Sequence, residues 1–178
     1  MINKLTAVEA KAERSWLIEL LQDAVESGAS VGFLPPLSSA EADDYWNQVE
    51  RDLNAGACVL LVAREGKRVE GTVQVGLALK ANGTHRAEVQ RLLVHREARR
   101  QGIGRALMLE VEAEVVRLGR TLLVLDTRKG DPSEALYHSI GYLEAGAIPS
   151  YARSADGSLH TTVFFYKELN VSEASPLD

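Results

Sequence analysis

The residues with the clearest potential for chemistry form a glycine-containing loop between a strand and a helix. Residues 89–94 are mostly apolar and predict a strand, and a basic loop then ends in Arg99-Arg-Gln-Gly-Ile-Gly104, where a helical pattern begins. The first amides of a helix have no intrahelical partner and carry a partial positive charge. Glycines let phosphate groups approach such amides without meeting a Cβ atom. The segment therefore predicts a site for an anion of pyrophosphate size.

The spacing of the glycines excludes two common phosphate-binding loops. A Rossmann turn requires G-x-G-x-x-G, but position 107 is leucine. A Walker loop requires Gly-Lys followed by Ser or Thr, which this segment lacks. From the spacing alone, two glycines that merely shape a loop are an equally good explanation.

Composition narrows the classes of function. The chain has 178 residues, of which 46% are hydrophobic and 25% charged, as expected for one soluble domain with a sizeable core. Its net charge of −5 argues against a nucleic-acid partner, because phosphate backbones need a basic face. No apolar run approaches the roughly 18 residues of a membrane span. The charged start of the chain does not suit a signal peptide, so we expect a cytoplasmic protein without a membrane partner.

Cysteine and histidine usage predicts neither a disulfide nor a metal site. Cys58 is the single cysteine, and it lies in an apolar run where a small core side chain is the better interpretation than a nucleophile. The four histidines, at positions 85, 95, 138 and 160, do not have metal-ligand spacing.

Periodicity predicts one mixed α/β domain over residues 1–170, followed by a flexible polar tail over 171–178. A β-α-β unit with a right-handed crossover stands at its centre, formed by the strand 88–94, the helix 104–118 and the strand 121–126. The other predicted helices cover 9–27, 38–54 and 133–140, and the other predicted strands cover 57–63, 69–79, 142–148 and 161–169.

Two motifs resemble those of the GNAT superfamily of N-acetyltransferases. Its signature Q/R-x-x-G-x-G/A is matched by Arg99–Gly104, and its Tyr-x-x-x-Gly-Phe/Tyr segment is matched by Tyr137–Tyr142. The resemblance implies a twisted, mixed, mostly antiparallel sheet of six or seven strands with about four flanking helices. Within the superfamily, the chain most resembles acetyltransferases that inactivate the β-lactam toxin tabtoxin, in the segments 28–33, 82–83, 86–90, 125–127 and 156–160.

The resemblance also implies acetyl-CoA as the acetyl donor, with coenzyme A as the product. Backbone amides of residues 100–105 would take the pyrophosphate, and main-chain groups of Leu92 and Val94 would pair with the pantetheine arm. Many superfamily members carry an asparagine that contacts the cofactor where this chain has Gly130. Ser133 is the candidate to replace that asparagine in the contact with the pantetheine arm. The full set expected to bind the cofactor is Leu92, Leu93, Val94, Arg99, Arg100, Gln101, Gly102, Ile103, Gly104, Arg105, Ser133 and Tyr137.

Amine acetylation needs a base and an acid. An alkyl ammonium has a pKa of about 10.4, so a base must free its lone pair. Glu88, at the start of its strand, resembles a superfamily glutamate that acts as this base; Asp126, at the end of a buried strand, can share the role or bind the ammonium. A solvated strand end and a loop cap are the alternative explanations of the two carboxylates. Tyr137 is the candidate acid for the departing thiolate.

These residues predict an N-acetyltransferase that acts on a primary amine of a small molecule by direct attack in a ternary complex. The acceptor would be a tabtoxin-like β-lactam or an amino-acid-like compound, bound by Phe33, Trp46, Glu88, Asp126, Tyr151 and His160, although core packing explains Phe33 and Trp46 equally well. A peptide N-acetyltransferase and a non-catalytic acyl-CoA sensor are the alternatives. The resemblance is compatible with a homodimer and does not decide the oligomeric state.

Overall fold

A computed structural model describes residues 1–66 and 68–170 of the chain, and the predicted tail over 171–178 lies outside them. The strands are β1 (Ile2–Leu5), β2 (Cys58–Glu65), β3 (Arg68–Leu77), β4 (Arg86–Val94), β5 (Leu122–Arg128), β6 (Leu143–Arg153) and β7 (Leu159–Glu168). The helices are α1 (Ala7–Ala12), α2 (Arg14–Glu26), α3 (Ser39–Asn54), α4 (Ile103–Arg117) and α5 (Pro132–Ser139), and a 3₁₀ turn covers Arg96–Ala98. None of the helices in this part of the chain is long and apolar enough to cross a bilayer.

The described strands form one seven-stranded sheet in the order β1-β2-β3-β4-β5-β7-β6. Only the β4–β5 pair is parallel, and it is joined by α4 as the β-α-β pattern predicted. The prediction of a mixed, mostly antiparallel α/β fold is confirmed.

Both faces of the sheet are covered, which explains why β2 reads as a continuous apolar run. Alternate side chains of a strand point to opposite faces. Val59 and Leu61 therefore join the core beneath α4 and α5, whereas Leu60 and Val62 join the core beneath α1, α2 and α3. The two helical layers hold the sheet rigid on either side of the β4–β5 junction.

That junction is short. β4 and β5 pair only from Arg86–Leu122 to Glu88–Val124. Beyond it β4 continues to Val94 along β3, and β5 continues to Arg128 along β7. The two strands therefore separate and leave an opening, hereafter the V opening, whose inner edges are strand main chain without a strand partner among the described residues.

Three details differ from the sequence predictions. The predicted helix 9–27 is two helices that meet at Glu13, the first starting at Ala7 behind a Thr6–Glu9 capping box. The strand β1 was missed because its four residues include polar Asn3 and Lys4, and pairing with β2 defines it. β5 extends to Arg128, so Asp126 lies within the strand rather than at its end.

The docking of α4 on β3 depends on the missing side chain of Gly71. A Cβ atom there would lie 2.9 Å from Ile103 Cγ2, 3.0 Å from the Leu93 carbonyl oxygen and 3.2 Å from Leu107 Cδ1. Ile103 and Leu107 belong to α4 and Leu93 to β4, so a methyl group here would press both on the start of the helix and on the neighbouring strand.

We therefore expect Gly71→Ala to lower the free energy of unfolding by about 1–3 kcal/mol through overpacking, measured by urea denaturation. Gly83→Ala is the matched control, because a Cβ atom at Gly83 would have no neighbour closer than 3.5 Å. Equal stability of the two variants would contradict this account of the helix docking.

Candidate functional site

The glycine loop reaches α4 through a backbone in the left-handed region. Arg100 has a φ of 63° and Gly102 a φ of 82°. No side chain caps α4, and its first main-chain bond runs from the Ala106 amide to the Gly102 carbonyl at 3.0 Å. The amides of residues 103–105 are thus left without an intrahelical acceptor. A Cβ atom on Gly102 would meet nothing within 4 Å, so open space lies in front of this helix end.

The arginines around the loop divide into two groups. Arg96 is bound to the Asp23 carboxylate, and Arg99 donates to the Val94 carbonyl at 3.1 Å and to Ser27 Oγ at 2.6 Å. Arg100 makes no hydrogen bond or ion pair with the described residues, and Arg105 reaches only Ser139 Oγ at 3.4 Å. Arg100 and Arg105 are consequently the side chains available to an incoming anion.

The end of β4 lies against the start of α4, as the predicted cofactor site requires. A Cβ atom on Gly104 would lie 3.8 Å from Leu92 Cδ2 and 3.9 Å from Val94 Cγ2. Leu93 points to the opposite core and is buried. The Gln101 side chain donates to the Glu97 carbonyl at 3.4 Å and braces the loop. The glycine loop and the β4 edge of the V opening therefore form one continuous surface.

Glu88 and Asp126 are brought together across the β4–β5 junction. Glu88 pairs with Val124, and Asp126 is two residues further on β5, so it lies on the same face of the sheet. The pKa of Asp126 is raised, first because the surrounding walls remove water from its carboxylate and second because the Glu88 charge is near. Neither carboxylate forms an ion pair with the described residues. Asp126 therefore binds a proton more tightly than an ordinary aspartate.

Tyr137 lies on α5, on the other face of the sheet from the two carboxylates. Its ring packs on Tyr142 and Phe165 with centroids 5.9 and 5.8 Å away, and 5% of the residue is exposed. Burial and then the charges of Asp126 and Asp131 raise the pKa of its phenol. The hydroxyl is consequently protonated throughout the neutral range, as a proton donor must be.

A cleft of about 730 Å³ lies between the loop after α2 and the β6–β7 hairpin. It brings together three of the residues predicted to bind the acceptor: Phe33, Asp126 and Tyr151. Glu88 does not line this cleft; it lines a smaller cavity of about 250 Å³, together with Val124 on β5. The cleft thus supplies aromatic walls and a carboxylate beside the V opening.

Three predicted residues have other surroundings. Trp46 is 2% exposed, and its indole N–H donates to the Leu17 carbonyl at 2.9 Å, so core packing accounts for it and the acceptor contact is not supported. His160 contacts Ser158 Oγ at 2.9 Å and does not line the cleft. Ser133 Oγ lies 2.7 Å from Thr127 Oγ1, beside the start of α5.

Sequence reasoning missed Arg128, which lines the cleft. Its guanidinium pairs with Asp131 at 2.9 Å and also donates to the Gly28 carbonyl at 3.2 Å and to Ser154 Oγ at 3.3 Å. It therefore ties the two walls of the cleft to β5. Its spacing from Asp126 is a signal that the sequence does contain, because residues two apart on a strand lie on the same face of the sheet.

The proximity of the two carboxylates can be measured. Replacing Glu88 by Gln removes one of the two causes that raise the pKa of Asp126, so we expect this pKa to fall in Glu88→Gln, as followed by carbon NMR of the carboxyl group. Glu144→Gln, which removes an exposed carboxylate on β6, should leave it unchanged. An unchanged Asp126 pKa in Glu88→Gln would contradict the juxtaposition.

Comparison with known proteins gives the family. Residues 18–142 match the Acetyltransferase (GNAT) family. The fold is similar to that of ribosomal-protein-alanine N-acetyltransferase from Brucella melitensis, with a TM-score of 0.79 and 24% identity over 95% of this chain and 99% of that chain. It is also similar to yncA from Salmonella typhimurium, solved with its cofactor acetyl-CoA, with a TM-score of 0.79 and 20% identity over 100% of this chain and 97% of that one.

A third similar structure is the phosphinothricin acetyltransferase from Sinorhizobium meliloti in complex with AcCoA, with a TM-score of 0.77 and 19% identity over 100% of this chain and 92% of that chain. At these identities the structural similarities show the fold. The family match shows more, because it spans most of the sequence and contains both the glycine loop and the Tyr137–Tyr142 motif. The chain therefore belongs to the acetyltransferase (GNAT) family.

Proposed function

We propose that this protein is an acetyl-CoA-dependent N-acetyltransferase that transfers an acetyl group to a primary amine of a small molecule. One observation carries the proposal. The V opening has uncapped helix amides at one end and the Glu88–Asp126 carboxylate pair at the other, so a donor with a phosphate-bearing tail can meet an ammonium-bearing acceptor there.

The residues around the V opening fit coenzyme A. Three helix amides without intrahelical acceptors, two available arginines and open space at Gly102 suit a pyrophosphate. The main chain of β4 beyond Glu88 lacks a strand partner on the β5 side, which suits the amides of a pantetheine arm. Acetyl-CoA, when bound, supplies the activated acetyl thioester.

The chain's own residues then handle two protons. Asp126 and Glu88 hold the acceptor ammonium and accept its proton, directly or through water, and the raised pKa of Asp126 makes it a stronger base than an ordinary aspartate. An amide of the unpaired β4 edge near Leu92 can donate to the thioester oxygen, as in an oxyanion hole. The Tyr137 hydroxyl, kept protonated by burial, delivers a proton to the departing sulfur.

The cleft supports a small acceptor. Its volume of about 730 Å³ is in the range of sites for small molecules, and its walls combine the Phe33 and Tyr151 rings with charged side chains. An amino-acid-like compound or a tabtoxin-like β-lactam satisfies these features, and the half-buried thiol of Cys58, with its pKa raised to about 11, offers no acyl-enzyme route.

Release of free coenzyme A from acetyl-CoA tests the proposal, measured with panels of amines, amino acids, β-lactam analogues and peptides. Release with small amines, and loss of acetyl-CoA binding in Gly102→Val, is the expected result. Release with peptides alone would identify a peptide acetyltransferase. Binding of acetyl-CoA by calorimetry without release from any acceptor would identify a non-catalytic sensor.

The role of Tyr137 gives a sharper prediction. Tyr137→Phe removes the proton donor and keeps the ring, so we expect kcat to fall about 100-fold with the affinity for acetyl-CoA unchanged. Tyr142→Phe is the matched control, because the Tyr142 hydroxyl is buried and has no hydrogen-bond partner among the described residues. Its removal should leave kcat unchanged and should not lower stability. Equal kcat in wild type and Tyr137→Phe would exclude Tyr137 as the acid.

A further inference from the structure

The bulge in β4 places a partly buried arginine, Arg91, beside the loop that lines the acceptor cleft. Leu93 pairs with Thr72 and Gln90 with Gln74, so two residues of β4, Arg91 and Leu92, oppose one residue of β3. Arg91 has a φ of 47°, in the left-handed region that a residue other than glycine seldom adopts. Such backbone strain is retained where the surrounding structure fixes a side chain in a required direction.

Aromatic rings fix the plane of this guanidinium. The Arg91 Cζ atom lies 4.6 Å from the centroid of the Tyr45 ring and 5.9 Å from that of Phe33, and Nε donates to the Val31 carbonyl at 3.3 Å. An arginine has five N–H donors. The Arg91 side chain also contacts the Tyr45 hydroxyl, but its terminal Nη groups have no carboxylate or carbonyl acceptor among the described residues, so they are available to an anionic ligand.

One Nη group of Arg91 lies next to Gly32, a residue that lines the acceptor cleft. A Cβ atom on Gly32 would lie 3.5 Å from Arg91 Nη2, so this nitrogen is next to a wall residue that has no side chain to cover it. Gly32 and Phe33 line the same cleft as Asp126. Arg91 and Asp126 also flank the V opening, each a few residues beyond the last β4–β5 pair, Glu88–Val124.

We propose that Arg91 binds a carboxylate of the acceptor, which makes the acceptor a compound with both an amine and a carboxylate. A planar guanidinium matches a carboxylate with two parallel hydrogen bonds, and a partly buried charge that has no ion-pair partner among the described residues gains most from such a ligand. The carboxylates of Glu88 and Asp126 hold the ammonium end of the same molecule. This inference rests on the proposed function, because it names the substrate class of that site.

The test compares free amino acids with their carboxamides, which differ only in the charge of the group that Arg91 would bind. For the wild type we expect kcat/KM, measured by release of coenzyme A, to be higher for the free carboxylate by about tenfold or more. In Arg91→Gln this ratio should fall to near one. In Arg91→Lys, which keeps the charge but lacks the planar guanidinium, it should be intermediate.

Arg153→Gln is the matched control. Arg153 lines the cleft and, like Arg91, makes no ion pair with the described residues, so a general effect of positive charge would appear there as well. Calorimetric affinity for acetyl-CoA should be equal in all the variants. A wild type without preference for the carboxylate, a preference retained in Arg91→Gln, or an equal loss in Arg153→Gln would overturn the proposal.

Binding separates this proposal from the proposed function. In protein saturated with coenzyme A, free amino acids should shift the NMR amide signals of Gly32 and Phe33 at lower concentration than their carboxamides do, and Arg91→Gln should abolish the difference. If no acceptor releases coenzyme A, the proposed function fails while this measurement still decides the role of Arg91. Equal titration curves for the acids and the amides in the wild type would overturn it.

Discussion

The separation of β4 from β5 after the Glu88–Val124 pair is the constraint on which the rest of the site depends. Strand main chain that loses its partner inside a domain must find another acceptor or donor, because an unpaired buried polar group is costly. The separation of the two strands therefore creates a space whose edges carry main-chain N–H and C=O groups without a strand partner among the described residues. It also places the start of α4 at the mouth of that space, since α4 follows β4 after one short basic loop.

Helix α2 and the two residues that follow it form hydrogen bonds with both sides of the V opening. From the β4 side, the Arg96 amide donates to the Asp23 carboxylate at 2.9 Å and Arg99 donates to Ser27 Oγ at 2.6 Å. From the β5 side, Arg128 donates to the Gly28 carbonyl at 3.2 Å. Ser27 and Gly28, which directly follow α2, are thus bound to the loop after β4 and to β5, respectively. The loop that forms one wall of the acceptor cleft begins at this point, so the same contacts set the position of that wall.

The sequence predicts the parts of this arrangement that depend on local chemistry. Apolar runs and turn residues were sufficient for the strands of the central β-α-β unit, and the glycine spacing was sufficient for the uncapped start of α4. The parting of β4 and β5 is not predictable in this way, because it depends on where pairing stops rather than on which residues form strands. Prediction also failed for β1, whose four residues are a strand only because β2 lies beside them.

The roles of individual side chains also depend on contacts that local sequence does not predict. Phe33 and Trp46 are both aromatic residues that the sequence offers for the acceptor site, yet Phe33 lines the cleft while Trp46 is buried against Leu17. Arg99 had the right position for a phosphate ligand, but its guanidinium is used within the protein, at Val94 and Ser27. Such differences arise from long-range contacts, and residue type and local spacing do not record them.

The central claim is that the donor lies in the V opening with its phosphates at the start of α4. The most direct measurement is an NMR titration of ¹⁵N-labelled protein with acetyl-CoA. Glycine amide signals are well separated, so Gly102 and Gly104 can be followed individually. The account predicts saturable shifts that are largest for residues 102–105 and for the β4 edge, with small shifts at β1 and β6. Saturable binding with unmoved Gly102 and Gly104 signals, or no binding, would contradict it.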